Sequence, residues 1–240
     1  MIKNLLFDLD MTLLDFKAAE YETFKIVASD YNLEYSDEFY DVYSASNERC
    51  WKRLELKEIT KAELYVIRFK ETIEWYLRKH PTFDSSVLPP YKDINSHYID
   101  TMARIGIKLP GSMEFILKLR ELRPDFDLFI ITNGTSKTAR GRVAARGFEP
   151  LFKKVFVSDE IGVNKPDKKF FDEVIGELDT DASSCLVIGD SLSSDILGAQ
   201  NAGIKSLWYT NEPNRDAIEK YSIDYVASTF DEMLEILINL

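Results

Sequence analysis

Asp8 and Asp10 stand one residue apart where the apolar stretch Leu5-Leu6-Phe7 ends, in the segment Leu6-Phe7-Asp8-Leu9-Asp10-Met11-Thr12. A strand alternates its side chains between two faces, so the two carboxylates would project the same way if the strand continued through them. Ile2, Leu5, Leu6 and Phe7 are what a sheet covered on both faces requires. Like charges held together at a strand end repel unless a cation or a shared proton relieves them. Three further segments carry groups that complement such a pair: Phe129-Ile130-Ile131-Thr132-Asn133-Gly134, Asn164-Lys165-Pro166-Asp167, and Val187-Ile188-Gly189-Asp190-Ser191-Leu192-Ser193-Ser194-Asp195. Each has an ordinary structural reading when taken alone. Thr132 serves as a strand residue or cap, Lys165 as a surface lysine ahead of a helix with Pro in its first turn, and Asp190 as a helix cap followed by a dipole-favoured acid.

Taken together, the order acid pair, Thr, Lys, acid pair points to one site at the carboxyl edge of a sheet, where open α/β sheets bind ligands. Carboxylates from two strands can hold a hard cation such as Mg²⁺. The Thr132 hydroxyl, the Asn133 backbone N–H and the Lys165 ammonium can cradle a phosphoryl group. One Asp is then left to attack and another to move a proton. The substrate this chemistry suits is a small phosphorylated metabolite.

The elements that must position these groups are short apolar runs at Leu5–Asp8, Leu128–Thr132, Lys154–Ser158, Cys185–Gly189, Ser206–Tyr209 and Tyr225–Ala227. Helical spacing follows Pro110-Gly111-Ser112 (Phe115, Ile116, Leu119, Leu122) and Pro166 (Phe170, Phe171, Val174, Ile175, Leu178). Thr229-Phe230-Asp231-Glu232 has capping-box form and opens a last helix. Strands alternating with helices predict an α/β fold with a mainly parallel sheet. Residues 17–104 break the alternation and read as helices, with Ser36 and Thr60-Lys61-Ala62-Glu63 as start signals. A segment of that length is too long for a loop. It is expected to be a separate helical domain (17–104) inserted into a core of residues 1–16 and 105–240.

The 240 residues carry 30 basic and 41 acidic side chains, a net charge of −11, which argues against a nucleic-acid polymer or an anionic membrane as partner. No apolar run approaches the ~18 residues of a membrane span. The amino terminus lacks a signal-peptide pattern, so a cytoplasmic protein is expected. Cys50 and Cys185, the two cysteines, imply no disulfide framework. The oligomeric state is not encoded in any readable pattern.

With its four motifs present and in order, the chain resembles the haloacid dehalogenase superfamily of hydrolases. Leu14-Asp15-Phe16-Lys17-Ala18-Ala19-Glu20, then Asn47, Trp51, Glu55, Ile59-Thr60 and Arg68-Phe69, and the run from Gly189 to Ile196 continuing at Asn201-Ala202-Gly203-Ile204, resemble the helical-capped pyrimidine 5′-nucleotidase branch. The resemblance implies a Rossmann-like core with an inserted helical cap. It implies Asp8 as a nucleophile forming an aspartyl-phosphate and Asp10 as general acid, then base. It implies Mg²⁺ held by Asp8, the Asp10 backbone carbonyl and Asp190, supported by Asp195, with Thr132, Asn133 and Lys165 on the phosphate. Met11 departs from the family pattern, which places Gly or Asp there, and so bears on the geometry of that turn.

The expected function is a Mg²⁺-dependent phosphatase of small phosphomonoesters, a pyrimidine nucleoside 5′-monophosphate nucleotidase. The alternatives are a sugar-phosphate phosphatase or phosphomutase, a pyrophosphatase, or a non-catalytic phosphate-binding protein. A dehalogenase needs no proton for a departing halide, so Asp10 argues against it. Hinges are expected near Phe16 and Gly106–Pro110. The cap aromatics Tyr43, Trp51, Tyr65, Phe69 and Trp75 read mainly as core. Arg49, Lys52 and Arg53 read as a solvated face paired with Glu48 and Glu55.

Overall fold

The computed structural model describes the backbone of all 240 residues and every side chain except that of Glu55. Six strands form one sheet: β1 (Asn4–Phe7), β2 (Asp127–Thr132), β3 (Lys154–Val157), β4 (Cys185–Gly189), β5 (Lys205–Tyr209) and β6 (Tyr225–Ala227). Their spatial order is β3-β2-β1-β4-β5-β6, and every pairing is parallel. The strand order therefore reverses at β1, which pairs with β2 on one side and β4 on the other. Each strand lies within one residue of the apolar run that announced it.

The helices are α1 (Phe16–Asp30), α2 (Asp37–Glu55), α3 (Lys61–Lys79), α4 (Tyr91–Met102), α5 (Ser112–Leu122), α6 (Ser136–Ala145), α7 (Ser158–Ile161), α8 (Lys168–Glu177), α9 (Leu197–Ala202), α10 (Arg215–Tyr221) and α11 (Phe230–Ile238). Strand alternation divides the core by face. Leu5 and Phe7 point with Leu128, Ile130, Leu186 and Ile188 toward a layer that includes Phe115, Ile116, Ala139, Val143 and Met233. Leu6, Phe129, Ile131 and Val187 point the other way, onto Phe170, Phe171, Val174 and Ala199. A sheet buried on both faces is what its near-continuous apolar strands demand.

The chain divides into two compact units, Met1–Phe16 with Gly106–Leu240, and Lys17–Ile105. In the first unit the segments next to the division pair with each other: Asp15 N–H donates to the Ile107 carbonyl at 2.7 Å, and Leu109 N–H to the Leu13 carbonyl at 3.1 Å.

The second unit is helical. Ser36 caps α2, and Thr60 with Glu63 forms the expected capping box on α3. Its centre is aromatic: Phe24 stacks on Tyr43 at 4.7 Å, and Tyr43 contacts Phe69 and Tyr98 at 5.2 and 5.4 Å. Tyr43 and Phe69 are thus core residues. Arg49 and Arg53 lie on an exposed face, yet their carboxylate partners are Glu71 at 2.6 Å and Glu58 at 3.5 Å. Glu71 comes from α3, a partner that spacing along α2 alone cannot supply. The side chain of Glu55, one of the partners expected from the sequence, lies outside the described residues. Cys50 and Cys185 are buried free thiols. Among the described residues, no helix is long and apolar enough to cross a membrane.

Candidate active site

β1 ends at Phe7, one residue before Asp8, whose backbone N–H still donates to the Ile188 carbonyl of β4 at 2.8 Å. This places Asp8 at the carboxyl edge of the sheet, beside the reversal in strand order, where α/β sheets bind ligands. Thr132 closes β2, and Asp190 follows the last residue of β4. Asp195 lies in a π-type turn, Leu192–Ile196, that leads into α9. A Cβ at Gly189 would collide with the Asp195 side chain, so that strand end needs glycine for the carboxylate to fold back over it.

These positions bring Asp8, Asp190 and Asp195 together, with one carboxylate oxygen from each lying within 4.8 Å of the others. Lys165 reaches the cluster from the loop between α7 and α8. Its ammonium donates to Asp8 Oδ1 and Asp195 Oδ1, both at 2.6 Å, and to the Ile131 carbonyl at 3.1 Å. An ammonium has three N–H groups, and here all three are engaged. Asn133 fixes the loop that presents Lys165: its amide nitrogen donates to the Lys165 carbonyl at 2.9 Å, and Lys165 N–H donates to Asn133 Oδ1 at 2.8 Å. The Thr132 hydroxyl is buried and accepts from Gly134 N–H at 3.2 Å.

Three carboxylates against one ammonium leave the cluster with excess negative charge. Burial, and then the neighbouring Asp195 carboxylate, push Asp8 well above the usual carboxylate range, with Lys165 pulling the other way. Asp190 is pushed up to about 7, again by burial first and Asp195 second. Burial alone would depress Lys165, but Asp195 and Asp8 outweigh it and hold the ammonium charged. Oxygen-only donors at this spacing, short of positive charge, fit a hard divalent cation.

Asp10 departs from the simple strand picture. The strand does not continue to it; Asp10 forms an isolated bridge with Leu14, and Met11 takes a left-handed φ of 61°. The Asp10 carboxylate is therefore not carried alongside Asp8 by strand alternation. Instead it is gripped by Arg142 of α6, at 2.5 and 2.9 Å through both oxygens. The left-handed turn is the conformation that Gly or Asp accommodates more readily than Met.

Two residues at the site, Arg142 and Trp208, are absent from the sequence expectations, and Asn133, expected there through its backbone N–H, also acts through its side chain by gripping Lys165. Trp208 Nε1 donates to the Asp190 carbonyl at 2.8 Å and anchors that loop from β5. Arg142 left little signal to find it by: the buried positions of α6 are Thr138, Ala139, Arg142 and Val143, a stripe with polar residues at two of its four places, one of them the arginine itself.

Comparison with known proteins agrees with this geometry. The model of the haloacid dehalogenase-like hydrolases matches residues 5–209. The chain is 36% identical over 208 residues to the pyrimidine 5′-nucleotidase PynA of Streptococcus pneumoniae, covering 86% of this chain and 83% of that protein. It is 31% identical to the pyrimidine 5′-nucleotidase YjjG of Escherichia coli, covering 96% of each. The magnesium-bound crystal structure of the HAD-hydrolase YfnB of Bacillus subtilis superposes with a TM-score of 0.84 at 30% identity, covering 98% of both chains. An all-parallel sheet with an acidic cluster at its carboxyl edge, matched along most of the chain by sequence and by structure, makes this protein a member of the haloacid dehalogenase-like hydrolase family.

Proposed function

We propose that the protein is a Mg²⁺-dependent phosphatase that cleaves small phosphomonoesters through an aspartyl-phosphate on Asp8, with pyrimidine nucleoside 5′-monophosphates as its substrate class. The observation that carries the reading is the buried cluster of Asp8, Asp190 and Asp195 against Lys165. The names of PynA and YjjG support the substrate class, and the magnesium-bound YfnB supports the ion.

In this reading an Asp8 oxygen attacks phosphorus and the bond to the leaving oxygen breaks. Asp10 delivers a proton to that oxygen, then takes one from the water that attacks the acyl phosphate. Asp8 loses its negative charge when it is esterified, which frees a Lys165 N–H to turn to the phosphoryl oxygens. The Thr132 hydroxyl and the Asn133 backbone N–H complete the cradle. Asp8, the Asp10 carbonyl and Asp190, with Asp195 beside them, would hold Mg²⁺. When bound, the ion supplies charge neutralisation and orientation of the phosphoryl group.

The test is phosphate release over a panel of nucleoside monophosphates, pentose, hexose and triose phosphates and pyrophosphate, with Mg²⁺ and with chelator. Turnover that needs the metal and is fastest on a pyrimidine nucleotide is the expected result. Faster turnover of a sugar phosphate or of pyrophosphate removes the nucleotidase assignment. Turnover that persists in chelator after bound metal is shown absent removes the metal.

A further inference from the structure

Among the described residues Arg142 is the largest side chain that is fully buried, although it is an arginine. Its Nη1 and Nη2 donate to Asp10 Oδ1 and Oδ2, its Nε donates to the Thr138 carbonyl one turn earlier at 3.2 Å, and the Phe16 ring lies 5.7 Å from its guanidinium carbon. The returning segment also presses on α6, since a Cβ at Gly106 would stand 3.2 Å from the Arg142 carbonyl and closer still to the Arg146 side chain. The guanidinium is thus held by its own helix, by the ring of Phe16 and by the Asp10 carboxylate. Burying a guanidinium is costly, and the cost is offset only where the geometry is good on every side.

Asp10 lacks that support from its own backbone. It sits beyond the end of β1, in a turn that continues through the left-handed Met11, and its side chain is 26% exposed. A carboxyl group in such a turn has several staggered orientations open to it. A two-pronged contact from a planar fork fixes both of its torsion angles, which a point-charge ammonium cannot do. Each carboxylate oxygen keeps a second lone pair, so the grip leaves room for a transferred proton.

We propose that Arg142 is a positioning residue for Asp10, holding its carboxyl group in the orientation that proton transfer to and from the scissile oxygen requires. The proposal rests on the phosphatase reading above and adds to it a residue that touches Asp10 rather than the phosphoryl group.

The test uses full-length protein with Mg²⁺ and single-turnover measurement of enzyme phosphorylation on two substrates. One is a nucleoside monophosphate, whose alkoxide leaving group needs a proton. The other is p-nitrophenyl phosphate, whose leaving group does not. Arg142→Lys keeps the charge and loses the fork. It should slow phosphorylation by the nucleotide by about 10- to 100-fold, the scale of a small misplacement of a reacting group, and leave the aryl phosphate nearly unchanged. In an Asp10→Asn background the same substitution should cost nothing more, because residues that act as one unit are not additive. A melting curve checks that each variant is folded. If Arg142→Ala does not fold, the lysine variant and the double variant decide the matter alone; if it folds, added guanidinium ion should restore the nucleotide rate selectively. Equal losses on both substrates, or an additive double variant, overturn the proposal and leave the phosphatase reading standing. A wild-type protein inert on every substrate of the panel overturns both.

Discussion

The cluster of Asp8, Asp190, Asp195 and Lys165 and the network around Glu20 and Arg68 in the helical unit are both buried, and they handle buried charge in opposite ways. Glu20 is fully buried and accepts from Asn47 at 2.6 Å, from Ser44 at 3.1 Å and from Tyr40 at 3.2 Å. Arg68 donates to Asn47 Oδ1 at 2.8 Å and twice to Asn95 Oδ1, and its guanidinium lies 4.8 Å from the centre of the Tyr98 ring. Glu20 thus faces two bases, Lys17 at 3.9 Å and Arg68 through the bridging amide of Asn47, while Asn95 accepts from Arg68, so the set carries no excess negative charge and is balanced. At the sheet edge three acids share one base, and two of the three are pushed upward. A balanced network fixes helices to one another. An unbalanced one holds free energy in reserve for a ligand that supplies the missing charge.

Asp8→Asn gives the largest effect on which this contrast can fail. It removes the proposed nucleophile and one charge from a crowded site, so phosphate release should fall to background while the melting temperature in chelator does not fall. Marked destabilisation would mean that the cluster is structural after all. Arg68→Met is the converse. Opening a balanced buried network should cost about 3 kcal/mol of stability, read by denaturant titration. The turnover of the molecules that remain folded should drop much less than in Asp8→Asn.

The reserve can be measured by adding the ion. Mg²⁺ at about 100 times its dissociation constant should stabilise the wild-type chain by ~2.7 kcal/mol. That gain should vanish in Asp190→Asn and survive in Glu20→Gln. A gain that survives Asp190→Asn would place the ion elsewhere.

Protons should act as a weaker substitute for the metal. Folded Asp190 holds a proton up to about pH 7, whereas an unfolded aspartate releases it near its ordinary 3.8. In that window the folded chain binds more protons than the unfolded one, so stability falls as pH rises. Burial raises Glu20 too, with the same sign. The Asp190 share is therefore read as the difference between wild type and Asp190→Asn in chelator. That difference should shrink toward acid pH, and Mg²⁺ should remove the wild-type decline near neutrality. A pH profile identical in the two proteins would remove Asp190 from the account.

The parts of this contrast that were legible in the sequence are those that hydrophobic patterning controls. Buried parallel strands require uninterrupted apolar residues, so β1, β2 and β4 announced themselves, and Asp8, Thr132 and Asp190 could be placed by counting from their ends. Thr60 and Glu63 announced α3 because a capping box is local chemistry. Arg142 did not announce itself, because α6 reads Ser-Lys-Thr-Ala-Arg-Gly-Arg-Val-Ala-Ala, a polar stretch with a glycine inside it. The course of the turn after β1 is hidden for a similar reason. Whether a strand continues through Asp8 to Asp10 depends on the Asp10–Leu14 bridge and on an arginine 132 residues away in sequence.

Strain offers the finest comparison between the two units. Met11 in the turn after β1 and Lys57 just past α2 have nearly the same left-handed φ, 61° and 59°. For a residue with a Cβ that conformation costs roughly 1–2 kcal/mol, and glycine avoids the cost while giving back about half of it as unfolded-state entropy. Each substitution by glycine should therefore stabilise by up to ~1 kcal/mol. The two should differ in their effect on activity. Lys57 follows a helix end in the helical unit, and Lys57→Gly should leave the kinetics unchanged. Met11 N–H donates to the Leu14 carbonyl at 2.7 Å and holds closed the turn that carries Asp10. Met11→Gly should loosen that turn and lower turnover of a nucleoside monophosphate a few-fold, with little change on an aryl phosphate. If Met11→Gly stabilises without any kinetic change, the side chain in that turn is tolerated strain and the aim of Asp10 rests on Arg142.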